Sequence, residues 1–208
     1  MNTQQAYNIW SQQYDTNTNK TRDLEAQALR ETLHNINFDS CLEIGCGTGK
    51  NTTWLITKAK QITAVDFSEE MLAKAKEKIK NNAVQFIQAN ITGNWAFTEK
   101  KYELVTFSLV LEHIQNLDHI FNEVGKCLVD GGHVYIGELH PFKQYAGSKA
   151  KFETDNGTQV VECFKHHLSE FIQTAKKYNL TISDVNEYFD DSDTAGLPRI
   201  VTLLLKKV

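Results

Sequence analysis

Short apolar runs alternate with amphipathic segments along the chain. Asp39 to Ile44 has the pattern of a buried strand ending at a cluster of glycines, and Gln61 to Asp66 is a second such run. Val84 to Gln88 alternates as a third strand, Tyr102 to Ser108 reads as a fourth, and His133 to Glu138 follows the turn residues Asp130, Gly131 and Gly132 as a fifth. Leu180 to Tyr188 and Ile200 to Lys206 close the chain as strands. Helical spacing fills the gaps. Lys50 to Ala59 predicts one helix. Ser68 can cap the next, which carries Met71, Leu72, Ala75 and Ile79 on one face. Leu117 to Leu128 and Leu168 to Tyr178 predict two more. A further helix is expected at about residues 2–15, and a stretch at about 140–166 interrupts the alternation as an insertion.

Strands alternating with helices predict a doubly wound α/β sheet covered on both faces, with right-handed crossovers. Such sheets bind ligands outside the carboxyl ends of their strands, where the winding reverses. That places the crevice between Gly45–Gly49 and Ser108–His113. No linker composition divides the chain, so residues 1–208 are expected to form one domain.

Composition narrows the partners. Twenty-two Lys and Arg stand against 26 Asp and Glu, for a formal charge of −4, which disfavours a nucleic acid or an anionic membrane as the main partner. The start lacks a basic segment followed by an apolar run, and no stretch approaches the roughly 20 apolar residues of a spanning helix, so a cytoplasmic location is expected. Cys41, Cys46, Cys127 and Cys163 form no C-x-x-C pair; they read as reduced thiols, with no metal site implied.

Gly45, Gly47 and Gly49 lie between a strand and a helix, where glycine permits positive φ and close approach of a ligand. A dinucleotide fingerprint would need its third glycine at position 50, which is Lys50, so a pyrophosphate cradle is disfavoured. Asp66 follows at the spacing of an acid that binds ribose hydroxyls. Phe67 offers an apolar face to a purine, and Asn90 can pair with an adenine edge.

Four strings stand in order at matching spacing: Leu42-Glu-Ile-Gly-Cys-Gly-Thr-Gly49, Val65-Asp-Phe-Ser-Glu-Glu-Met71, Tyr102-Glu-Leu-Val-Thr-Phe-Ser-Leu-Val-Leu-Glu-His113 and Leu128-Val-Asp-Gly-Gly-His133. Together they resemble the class I S-adenosylmethionine-dependent methyltransferases, in their small-molecule branch, over about residues 5–140. The resemblance implies a Rossmann-like seven-stranded sheet, mostly parallel with an antiparallel last strand. It implies S-adenosylmethionine as cofactor and S-adenosylhomocysteine as product. Gly45 and Gly47 would line the methionine portion, with Glu43 the acid near that loop and Cys46 within it. Asp66 would hold the ribose and Phe67 would flank the adenine, with Met71 on the helix behind them, although Met71 also fits a core position. Ala89, Asn90 and Ile91 would read the adenine edge; many relatives have Asp at position 90. Ser108 and Leu109 would lie under the methionyl chain, and His113 near the methyl group. Trp10 to Asp15 resembles the family's leading helix, with Tyr14 closing over the cofactor; Arg22 is a candidate partner for its carboxylate.

Methyl transfer asks little of the protein beyond alignment, exclusion of water and, for some acceptors, a base. His113, His140 and His167 are the candidate catalytic residues. Phe142, Tyr145, Phe152 and Phe164 make the insertion a candidate lid, with Tyr7, Trp10 and Tyr14 as aromatic walls. Phe107-Ser-Leu-Val110 lacks the Asn-Pro-Pro-Tyr signature of amino-methylating nucleic-acid enzymes. The expected partner is therefore a small-molecule acceptor, methylated on oxygen or nitrogen by a monomer or homodimer. A nicotinamide-dependent oxidoreductase and a non-catalytic cofactor-binding protein remain as alternatives.

Overall fold

The computed structural model describes all residues except 1, 155, 156, 191–193 and 195. Its central sheet has seven strands: β1 (Ser40–Ile44), β2 (Gln61–Asp66), β3 (Val84–Gln88), β4 (Tyr102–Ser108), β5 (Leu128–Leu139), β8 (Leu180–Tyr188) and β9 (Ile200–Lys207). The strands between them in sequence, β6 (Lys151–Thr154) and β7 (Gly157–Val160), pair only with each other. The sheet order is β3-β2-β1-β4-β5-β9-β8. β1 to β5 pair in parallel, and β9 runs antiparallel to both neighbours, as expected. The winding reverses between β1 and β4, so the loops after these strands open a crevice there.

Helices cover both faces. α2 (Lys20–Leu33), α3 (Thr52–Leu55) and α4 (Glu69–Lys78) pack one side, where Leu29, Leu33, Leu55 and Leu72 meet Ile62, Leu104 and Tyr135. α5 (Leu117–Cys127) and α7 (Leu168–Lys177) cover the other, burying Ile120, Phe121, Val124, Phe171 and Ala175 against Leu42, Val105 and Ile136. α2 is absent from the sequence-based expectation. Its charged surface dilutes the apolar stripe, and its start is marked only by Asn19, whose side chain accepts from the Arg22 amide.

Three expected elements differ in extent. The leading helix α1 spans Thr3–Trp10, not residues 2–15. Ser11 turns its hydroxyl back onto the Asn8 carbonyl, and the chain continues as turns through residue 16. The helix expected over Lys50 to Ala59 narrows to Thr52–Leu55, because the flanking bonds tighten to i→i−3 at Trp54, Thr57 and Lys58. The turn at Asp130 to Gly132 lies inside β5: Tyr102 pairs with Leu128 but Leu104 with His133, so these residues form a bulge.

The insertion comprises α6 (Pro141–Tyr145), the β6–β7 hairpin and an irregular run into α7. It meets α1 through a small core of its own. The Trp10 ring stacks on Phe152 at 5.0 Å, beside Ala6, Met71 and Val161.

Candidate functional site

The first cavity opens at the switch point and measures about 310 Å³. Its floor is the glycine loop. Gly45 and Gly47 both take positive φ, at 72° and 54°. A side chain on Gly45 would collide with Val110, whereas at Gly47 a Cβ would meet nothing within 4 Å. The first glycine therefore lets two loops touch, and the second leaves bare backbone facing the open cleft.

Asp66 forms the edge of the cavity. Its carboxylate accepts from the Gly47 amide and the Ser68 amide, both at 2.8 Å. Burial pushes its pKa up, against the pull of these amides. Phe67 presents 37% of its surface. Ala89, Asn90 and Ile91 form the facing wall, and Asn90 bonds Thr92 through its Oδ1. On the β4 side, Ser108, Leu109 and His113 complete the lining. Leu109 holds φ 58°, a left-handed conformation that costs a leucine about 1–2 kcal/mol. Its amide donates to Gly137, which keeps the end of β4 in place.

α1 roofs the cleft. Gln4 donates to the Phe67 carbonyl, Asn8 accepts from the Ser68 hydroxyl at 2.6 Å, and Tyr7 meets His113 at 2.8 Å. Just beyond, Asp15 accepts from Thr48 and Lys78. Asn2, Gln4, Tyr7 and Glu162 were not singled out from the sequence as pocket residues, although Tyr7 was expected as an aromatic wall. The available signal was the Asn2–Gln5 capping box that starts this helix over the cleft.

The structure thus gathers Tyr14, Gly45, Gly47, Asp66, Phe67, Ala89, Asn90, Ile91, Ser108, Leu109 and His113 around one cavity. Other candidates lie elsewhere. Glu43 is buried beneath the loop and accepts from Thr52 at 2.6 Å. Cys46 packs into the core beside α3, and Met71 packs under Trp10. His140 is 3% exposed, caps α6 through the Phe142 amide and pairs with Glu187 at 2.8 Å; it lines neither this cavity nor the second one described below. His167 is exposed and bonds the Tyr145 hydroxyl, again outside both cavities. The expectation of three histidines at the site therefore reduces to His113. Burial pushes the Cys41 and Cys46 thiols up, and that of Cys163 up to about 12, so none is poised as a thiolate nucleophile.

A second cavity of about 790 Å³ shares Tyr7, Tyr14 and Leu109 with the first. Arg22 lines this one. Its guanidinium lies 3.9 Å over the Tyr14 ring and donates to the carbonyls of Tyr14 and Asn17. Glu112 lines the same cavity. Glu112, His113 and Cys163 each place a possible metal-ligand atom within 4.8 Å of the others, a grouping the residue spacing did not suggest. Both His113 nitrogens already have partners, however, in Tyr7 and the Glu162 carbonyl.

Sheet order, with the glycine loop and the strand-end acid at its switch point, gives the chain the fold of solved S-adenosylmethionine-dependent methyltransferases. The profile of a methyltransferase domain family matches residues 42–136 of the chain. Among curated relatives, a bifunctional biotin-biosynthesis protein of Cellvibrio japonicus is 26% identical over 71% of this chain and 29% of its own length, so the chain spans under a third of that relative. A ubiquinone biosynthesis O-methyltransferase of Pelagibacter ubique is 24% identical over 81% of this chain and 71% of the relative. The solved structure of the N-methyltransferase NodS of Bradyrhizobium japonicum with S-adenosylhomocysteine superposes with a TM-score of 0.74 at 18% identity, covering 100% of this chain and 99% of the other. Among the described residues, no helix is long and apolar enough to cross a membrane.

Proposed function

We propose that this chain transfers the methyl group of S-adenosylmethionine to an oxygen or nitrogen of a small molecule. The reading is carried by the Asp66 carboxylate, fixed by two backbone amides at the rim of a cleft whose floor is the open backbone of Gly47. The Asp66 carboxylate would hold a ribose diol, and Phe67, Asn90 and Ile91, on the same lining, would receive a purine. The relatives with methyltransferase names, and the homologous fold seen with S-adenosylhomocysteine, support the same cofactor.

When bound, the cofactor supplies an electrophilic methyl group on a sulfonium, so the protein's part is to hold and shield. Gly45, Gly47, Ser108 and Leu109 form the cradle for the amino-acid end, and Tyr14 stands between that end and Arg22. Arg22 Nε is buried without a hydrogen-bond partner, and the guanidinium lines the second cavity behind the Tyr14 ring. α1 and the insertion exclude water from above. Glu43, His140, His167, Cys46 and Met71 support the scaffold.

Parallel calorimetric titrations with S-adenosylhomocysteine and NADH test the reading. Saturable heat with the first and none with the second is expected; the reverse assigns the cleft to a nicotinamide cofactor. A metabolite screen that detects S-adenosylhomocysteine release then separates an enzyme from a protein that only binds.

A further inference from the structure

The second cavity meets the first at Tyr7, Tyr14 and Leu109, so a molecule lodged there would reach a wall of the cleft proposed for the cofactor. The groups on its lining are unevenly placed. Glu112, 7% exposed, is on this lining, and its Oε2 is buried without a hydrogen-bond partner. Burial pushes this carboxyl up, with the His113 imidazole, the Cys163 thiol and the Gln144 amide pulling against it. A buried carboxylate oxygen without a donor is unfavourable until a ligand supplies one. On the lining, exposed, stand Lys20, Lys149 and Lys151, none with an ion-pair partner among the described residues. Arg199, also on the lining, is committed to Asp190 and Thr21.

We propose that the second cavity is the acceptor site and selects small amphoteric molecules, whose nucleophilic amine or hydroxyl donates to Glu112 while an anionic group lies against Lys149 and Lys151. The inference rests on the methyl-transfer reading and deepens it. Glu112 Oε1 lies 3.8 Å from Nε2 of His113, which lines the first cavity, so a group bonded to Glu112 would stand beside the cleft proposed for the cofactor. The acceptor lone pair forms a bond to the methyl carbon as the carbon–sulfur bond breaks, and that electron pair stays on sulfur. The acceptor's N–H or O–H proton passes to the Glu112 carboxylate. A neutral acceptor leaves the lysines unpaired, and an acceptor without an N–H or O–H leaves Glu112 as it stands. Both are thereby disfavoured.

The test uses the full chain and a panel of amino and hydroxy carboxylates of increasing length, aliphatic and aromatic, each beside its neutral carboxamide. S-adenosylhomocysteine release is measured, and each compound is titrated calorimetrically into the protein loaded with S-adenosylhomocysteine. Turnover and binding confined to the acids are expected. Lys149→Glu with Lys151→Glu raises KM for the best acid by about tenfold at unchanged S-adenosylhomocysteine affinity. Glu112→Gln lowers kcat by about 100-fold with KM and S-adenosylhomocysteine affinity near wild type; thermal melts confirm that both variants fold. Equal use of amides, no panel member binding the loaded protein, or a Glu112→Gln defect confined to S-adenosylhomocysteine affinity overturns the proposal. If wild-type protein fails to bind S-adenosylhomocysteine at all, the methyltransferase reading fails first and this inference falls with it.

Discussion

The Tyr7 hydroxyl lies 2.8 Å from Nε2 of His113, whose Nδ1 lies 2.8 Å from the carbonyl oxygen of Glu162. A carbonyl can only accept, so Nδ1 carries a proton, and in the tautomer with no proton on Nε2 that nitrogen accepts from Tyr7. His113 thereby joins the leading helix, the loop after β4 and the end of the insertion. Before it could take a proton from an acceptor it would have to release Tyr7, which makes it a clamp first.

Tyr7→Phe leaves Nε2 of a half-buried ring without a donor and should cost about 1–2 kcal/mol of stability, read from urea denaturation. The functional test is a cycle of Tyr7→Phe, His113→Ala and the double variant. For a clamp, the double variant loses little more activity than either single one, because both remove the same tie. Losses that multiply in the double variant assign His113 a separate chemical role.

Asp66→Ala should weaken S-adenosylhomocysteine binding by about 3 kcal/mol, on the order of 100-fold, through lost charge-assisted hydrogen bonds. Asp66 also anchors the Gly47 and Ser68 amides, so Asp66→Asn is the control, since its amide oxygen can keep one of those bonds. Affinity unchanged in both variants would remove the ribose assignment.

The sheet was legible because its strands are nearly continuous apolar runs and its glycine loop sits where a βα turn needs positive φ. The residues of the first cavity on β-strand ends were legible for the same reason: position after a strand places a side chain at the crevice whatever the detail of packing. His140 and His167 also follow ordered elements, yet the fold turns them away. His140 became the cap of α6, and His167 was drawn out to Tyr145 by a hydrogen bond 22 residues back in sequence. Glu112 passed unnoticed because nothing in its local pattern separates a surface acid in a short helical turn from a buried one. Its burial comes from the insertion folding back, as the Phe164 amide bonds the Glu112 carbonyl at 2.7 Å. Such long-range closure has no local sequence signal.

Among the described residues, Phe152 is the large apolar side chain by which the β6–β7 hairpin enters the core shared with α1. Phe152→Ala removes the ring stacked on Trp10 and should cost about 3–4 kcal/mol if the site does not collapse. Hydrogen exchange locates the effect. Amides of α1 and of the hairpin should exchange faster while those of β1 and β4 stay protected. Uniform loss of protection would show that the roof and the sheet unfold as one unit.

Glu43 ties stability to pH. Burial, with the nearby carboxylates of Glu25 and Asp66, pushes its carboxyl up to about 8 against the opposing Thr52 hydroxyl. The same group in an unfolded chain titrates near 4.5. Between these values the folded protein holds a proton that the unfolded chain has lost, so stability from this group is greatest on the acid side and falls as pH rises toward 8. Glu138, also pushed up to about 8 by burial and by Glu112, contributes in the same sense and remains in a Glu43 variant. Glu43→Gln keeps an oxygen for Thr52 and cannot ionise. It should therefore be more stable than wild type by about 2–4 kcal/mol near pH 8, with the difference shrinking toward zero near pH 5. Urea titrations at the two pH values measure both gaps. A gap of equal size at each pH would mean that Glu43 is ionised throughout, and that the polar groups around Thr52 solvate its charge beneath the glycine loop.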